Sequence, residues 1–229
     1  QPQDAAFLSV DDIDSTKERL QNAANGRDIR LIVVTDGEAI LGIGDWGVNG
    51  VDISVGKLMV YTAAAGVNPS QVLAVSLDAG TDNQQLLDDP NYLGLRHPRV
   101  KGAQYHKLVD AFMDATQELF PQALVHFEDL GRDNAADILE QYETKRSVFN
   151  DDIQGTGIIC LAGVLGALKI SKQSLADQTF LTFGAGNAGM GIANMLFDEL
   201  VRQGMDPAEA RRHFYLVDVQ GLLFHDTPD

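Results

Sequence analysis

The chain has 229 residues, 45% of them apolar, enough for one large domain or for one domain and part of another around a packed core. Its 17 basic against 33 acidic side chains, a net charge of −16, exclude the basic face that nucleic acid or an anionic membrane surface would require. No unbroken run of about 18 apolar residues occurs, so no transmembrane helix is predicted.

The chain opens Gln1-Pro2-Gln3-Asp4, without the basic stretch of a signal peptide and without an initiator Met, so the natural start is expected upstream. Strands are predicted at Ile29–Thr35, Val72–Asp78, Leu124–Asp129, Ser147–Asn150, Thr179–Gly184 and Phe214–Asp218. Several are continuously apolar, as in LIVV and VLAVSL, which is the pattern of parallel strands buried on both faces. Helices are predicted at Val55–Ala65, Gln104–Leu119, Ala135–Glu143, Gln154–Leu168, Ala188–Gln203 and Pro207–His213. This alternation predicts an α/β fold with parallel, doubly wound sheets. The single cysteine, Cys160, falls in an apolar stretch where packing is its expected role, and it fits a reducing, cytoplasmic compartment.

Sheets of this kind bind ligands at the carboxyl ends of their strands. Four predicted strand ends carry acids or glycines: Glu128-Asp129, Asp151-Asp152, Gly184 and Asp218. The segment Thr179–Phe183 runs into Gly184-Ala185-Gly186-Asn187-Ala188-Gly189, a GxGxxG between strand and helix. Its first glycine permits the turn, its second lets a pyrophosphate approach, its third lets helix and strand close up, and the helix N-terminus faces the phosphates. Asp218, 29 residues past Gly189, is placed to bind the adenine ribose, and its charge favours NAD over NADP. A purely structural glycine turn is the competing reading.

Glu128, Asp129 and Asp152 offer the oxygen donors that Mg²⁺ or Mn²⁺ takes. The competing reading is solvated strand-end acids, with Asp151 or Asp152 capping the helix near Gln154. Lys57 lies three residues past Ser54, read as an N-cap, in a helix closed by Gly66. A cation in a first helical turn opposes the dipole and is eased toward deprotonation, which suits a general base. A surface lysine is the alternative.

Taken together these segments resemble the malic enzyme family. The matching stretches are Val34–Gly37, Leu41–Gly47, Ser54–Leu58, Phe127–Asp129 and, most specific, Phe149-Asn150-Asp151-Asp152-Ile153-Gln154-Gly155-Thr156, followed by the Gly184–Gly189 loop. The resemblance covers essentially the whole chain. It implies that Lys57 is the general base on the hydroxyl of L-malate, with Asp151 beside it. It implies that Glu128, Asp129 and Asp152 hold a divalent metal, Mn²⁺ or Mg²⁺. It implies that Gly184, Ala185, Gly186, Asn187, Ala188, Gly189 and Asp218 bind NAD. Residues 1–151 would form the central catalytic domain and 152–229 the first half of a Rossmann-type NAD domain. Both ends are expected to be cut short, which would leave this piece inactive on its own, and the family implies a homo-oligomer.

Two departures matter. The family's substrate-binding arginine in Thr-Asp-Gly-x-Arg is replaced by Ala39, a lost carboxylate clamp. The wording around it, with Val51–Ser54, looks like the malolactic branch, which converts L-malate to L-lactate and CO₂ while keeping NADH; release of pyruvate and NADH is the alternative outcome. The family's catalytic tyrosine belongs upstream of Gln1, and neither Tyr61 nor Tyr105 stands at its position. A non-catalytic NAD-sensing module is a third reading, opposed by the intact Lys57 and carboxylates.

Overall fold

A computed structural model describes residues 5–224. The chain divides into two compact units, Gln1–Phe149 and Asn150–Asp229.

The first unit is built on a sheet in the order β1-β3-β2-β4-β5, with β1 at Ala6–Ser9, β2 at Leu31–Thr35, β3 at Val72–Asp78, β4 at Leu124–Phe127 and β5 at Val148–Asn150. The pairs β1/β3, β2/β3 and β2/β4 are parallel. Every residue of β2 is buried, as its unbroken Leu-Ile-Val-Val run requires of a strand covered on both sides. Helix α2 (Val51–Ala65) covers one face, where Leu58 packs on Leu31, Val33 and Ala74. Helices α1 (Thr16–Ala24) and α4 (Ala103–Leu119) pack on each other and on β1. The buried stripe of α4, Tyr105, Leu108, Val109, Phe112, Ala115 and Thr116, repeats at three and four residues, the spacing of one helical face. Two short-range helices complete the unit, α3 (Gln84–Asp88) and α5 (Arg132–Tyr142).

The second unit starts with a π-helical turn, Asp151–Gly155, that continues into α6 (Thr156–Ser171). Then come β6 (Phe180–Phe183), α7 (Asn187–Arg202), the single turn α8 (Pro207–Ala210), β7 (Phe214–Asp218) and β8 (Gly221–Leu222). Strand β6 runs parallel to β7, as predicted. Strand β8 returns antiparallel to β7, which the βα pattern did not predict; Gly221, at φ 94°, makes the reversal possible. Helix α6 lies close against α7: a Cβ at Gly157 would sit 2.8 Å from the Gly191 carbonyl oxygen, and one at Gly191 would sit 2.3 Å from that of Ile153. The core holds Leu168, Leu175, Leu196, Leu200 and Ala210, with Phe180 and Phe214 stacked 5.1 Å apart beside it.

Three expectations change. Strand β1 and helices α1 and α3 were not foreseen, because each is short and α1 is mostly polar. Helix α2 begins four residues early, so Ser54 is not its cap but a fully buried residue inside it. By length and composition the helical stretch Asp151–Ser171 could cross a membrane, which a count of consecutive apolar residues missed because glycines, Gln154 and Thr156 interrupt the run.

Candidate active site

In the first unit, α2 and the end of β4 bring a lysine and two carboxylates together. Lys57 Nζ lies 3.1 Å from Glu128 Oε1. Lys57 is the seventh residue of α2, in the second turn, so the helix-dipole argument for easing its deprotonation falls away; the ion pair with Glu128 holds the amine in place and favours its charged form. Glu128 continues the extended course of β4, its amide donating to the Val34 carbonyl at 2.9 Å, and only 4% of the residue is exposed.

Asp129 follows with φ 50°, a left-handed conformation uncommon outside glycine but tolerated by Asp. The turn it makes swings the chain away from the sheet immediately after Glu128, so both carboxylates stay at the strand end. Asp129 Oδ2 accepts a 2.9 Å hydrogen bond from the Leu41 amide, which ties in the loop carrying Ala39. Burial pushes the Asp129 carboxyl above the usual range; the Leu41 amide opposes this, the Glu128 charge adds to it, and Lys57 pulls it back. Glu128 and Asp129 place two buried carboxylates side by side, and their oxygens are the hard donors that a divalent cation takes. The donor set therefore fits such an ion.

Around this centre lies a frame that sequence reasoning did not pick out. Asp36, 1% exposed, accepts from Tyr105 Oη at 2.6 Å, from the Gly131 amide at 3.2 Å and from the Glu38 amide at 2.9 Å. It thereby joins the end of β2 to the chain just past Asp129. Burial, with Asp36 close by, raises the Tyr105 phenol well above its ordinary value, so it acts as a donor. The loop after Asp36 is clamped in turn by Asp45. Its carboxylate takes Arg99 Nε at 2.6 Å and Nη2 at 2.8 Å, Thr81 Oγ1 at 2.8 Å, and the amides of Gly47 and Asp82 at 2.8 Å each. Burial opposes the Asp45 charge, but these donors outweigh it and hold its carboxyl below the usual range. His126, wholly buried, donates or accepts on both sides, to Tyr61 Oη at 2.8 Å through Nδ1 and to Glu128 Oε2 at 2.5 Å through Nε2. The signals were spacings: Lys57 and Tyr61 are one helical turn apart, and His126 and Glu128 are two apart on a strand.

In the second unit, Asp151 and Asp152 stand in the first turn of the π-helical segment. Neither caps it. Asn150 does, its side chain accepting from the Ile153 amide at 3.0 Å while the Gln154 side chain accepts from the Asn150 amide, also at 3.0 Å.

The glycine loop takes the form its sequence predicts. Gly184, at φ 102°, turns the chain out of β6. Its amide bonds to the Val217 carbonyl at 2.8 Å, so Asp218 follows directly beside the turn. A Cβ on Gly189 would lie 2.0 Å from the Gly184 carbonyl oxygen, whereas one on Gly186 would meet nothing within 4 Å. The third glycine is therefore needed for packing, and the space before the second is open to a ligand. Helix α7 starts at Asn187, so the first-turn amides, which have no intrahelical acceptors, point to that space. Ala185 is buried under the turn. The residues fit a dinucleotide phosphate.

Comparison with known proteins agrees with these features. Residues 1–143 match the family model for the malic enzyme N-terminal domain, and residues 153–229 match that for the malic enzyme NAD binding domain. The malolactic enzyme of Lactiplantibacillus plantarum is 65% identical over 226 residues, spanning 99% of this chain and 41% of that protein. NAD-dependent malic enzyme 3 of Bacillus subtilis is 52% identical over 221 residues, 96% of this chain and 39% of that protein. The chain thus spans about two fifths of these relatives. The crystal structure of the Entamoeba histolytica malic enzyme shares the fold at a TM-score of 0.65, with 24% identity over 96% of this chain and 38% of that one.

Proposed function

The chain belongs to the malic enzyme family, and from that premise we propose that the protein carrying it is a malolactic enzyme, converting L-malate to L-lactate and CO₂ with NAD held throughout. The observation that carries the catalytic part is the half-buried Lys57 paired at 3.1 Å with the buried Glu128, with Asp129 next to it. In this reading residues 1–151 supply the catalytic side chains and residues 152–229 the NAD site, and the protein is a homo-oligomer.

Glu128, Asp129 and Asp152 would hold Mn²⁺ or Mg²⁺, whose charge makes the malate hydroxyl more acidic and steadies the negative charge left when CO₂ departs. Gly184–Gly189 and Asp218 would hold NAD, which would supply hydride transfer chemistry. Lys57 Nζ accepts the hydroxyl proton. Glu128 Oε1 keeps the amine at its station, and Asp151 is the second acid assigned to it. Gly189 keeps the loop closed on the helix so that the first-turn amides of α7 grip the pyrophosphate.

The malolactic assignment draws on the 65% identity to the Lactiplantibacillus plantarum protein and on Ala39 in place of the family arginine. The second reading, an NAD-dependent malic enzyme releasing pyruvate and NADH, draws on the 52% identity to the Bacillus subtilis protein. Supplying the intact enzyme with malate, NAD and Mn²⁺ separates them. Lactate without free NADH supports the first; one NADH per malate refutes it in favour of the second.

A further inference from the structure

Glu128 is held from both sides. Lys57 Nζ engages Oε1 at 3.1 Å, and His126 Nε2 engages Oε2 at 2.5 Å. A carboxylate oxygen accepts only, so Nε2 must carry the proton in this contact. In the neutral imidazole Nδ1 is then the acceptor, and Tyr61 Oη, 2.8 Å away, is its donor. The hydrogen bonds run one way, from phenol to imidazole to carboxylate. The ring has no room to turn: His126 is 0% exposed, Phe149 meets it edge-on at 5.3 Å between centroids and Tyr61 at 5.6 Å. Each carboxylate oxygen has two lone-pair positions, of which one on each is taken, so one on each remains for a cation.

We propose that His126, set in its tautomer by Tyr61, is a positioning residue that aims the Glu128 carboxylate for metal binding. The inference rests on the reading of Glu128 as a metal ligand made above. The residue that fixes a metal's ligand is more often a carboxylate behind a ligating histidine; here the order is reversed, with a histidine behind a ligating carboxylate. An apolar side chain in place of His126 would leave Oε2 buried with no donor on that side and free the carboxylate to rotate about its last bond.

The test is Mn²⁺ binding to the intact enzyme, read from the electron paramagnetic resonance signal of free Mn²⁺ in the absence of substrate. His126→Phe should weaken binding about 10- to 100-fold, the usual cost of losing a group that orients a ligand. His126→Gln, whose side-chain N–H can reach the position of the imidazole Nε2–H, should recover affinity to within about threefold of wild type. A thermal melt and NAD affinity measured alongside should not follow this order; a rescue confined to Mn²⁺ binding is what a merely structural role would not produce. Wild-type Mn²⁺ affinity in His126→Phe overturns the proposal. Should that variant not fold, Tyr61→Phe, which keeps the ring and its packing, decides: several-fold weaker Mn²⁺ binding supports the relay and unchanged binding overturns it. Glu128→Gln separates the proposal from its premise. If this variant binds Mn²⁺ as well as wild type does, the metal reading itself is wrong; if it loses Mn²⁺ while His126→Phe does not, only the role of His126 fails.

Discussion

The Asp45–Arg99 clamp is where the candidate site depends most on a single contact. The Arg99 side chain is 1% exposed and that of Asp45 12%, and two hydrogen bonds of 2.6 and 2.8 Å join them. Replacing Arg99 with Leu leaves the Asp45 carboxylate in place with its amide and hydroxyl donors but without its cation. Removing one partner of a buried pair costs about 3–5 kcal/mol, because the remaining charge stays desolvated. For a unit of this size that is a fall in Tm of roughly 6–20 °C. Arg99→Lys should cost less than Arg99→Leu but more than a surface change, since an ammonium cannot reproduce the two-pronged contact. Asp45→Asn combined with Arg99→Leu should recover part of the loss, because no charge is then stranded. The pH dependence carries its own sign. In wild type the Asp45 carboxyl lies below its unfolded value, so its contribution is fully present above about pH 4 and is lost as pH falls through the folded pKa. In Arg99→Leu burial acts unopposed by the cation, so the penalty is present at neutral pH and is relieved as the pH drops and the carboxyl protonates. Urea unfolding followed by circular dichroism at pH 7 and pH 4 measures both. A single-variant cost below about 1 kcal/mol at pH 7, as for an exposed ion pair, or strict additivity in the double variant, would refute the reasoning.

Other perturbations test the rest of the site. Lys57→Ala should leave NAD and Mn²⁺ affinities within a few-fold while turnover drops by about 10²–10⁴, the span that general base catalysis supplies; retained turnover in a steady-state assay removes Lys57 from the mechanism. Gly189→Ala puts a methyl 2.0 Å from the Gly184 carbonyl oxygen, a contact that only a backbone shift relieves, so NAD affinity measured by fluorescence titration should fall at least tenfold. Gly157→Leu should push α6 and α7 apart and destabilise the second unit by about 1–3 kcal/mol, seen as faster amide exchange along α7. Asp206→Ala removes the acceptor for the Ala208 and Glu209 amides and should cost about 1 kcal/mol in thermal unfolding, with kcat unchanged.

What could be read from the sequence and what could not separates along physical lines. Continuous apolar runs announced β2 and β3 because a strand buried on both faces needs no alternation, whereas β7, equally apolar in sequence, is only half-buried; the glycine loop announced itself because its backbone geometry admits few other residues. Ser54 misled because a serine before an apolar stretch is the pattern of a cap, while the real start of α2 lies beyond a 3₁₀ turn at Gly47–Gly50 that has no capping side chain. Once α2 begins at Val51, Lys57 is set a full turn farther in, and its amine is held by the Glu128 carboxylate and no longer set by the helix start. The acid comes from a distant segment, Glu128 from the end of β4, and so does His126, from within β4, which Tyr61 meets from one turn along α2. No local pattern encodes a hydrogen bond between residues 65 positions apart, so His126 looked like one more strand residue. The same holds for Asp36 and Asp45, whose partners Tyr105 and Arg99 lie 69 and 54 positions away. The groups assigned to ligands were legible because the proposed chemistry restricts the residue type at each position. The groups that hold them were not, because many residue types could do that work and only the folded chain shows which ones do.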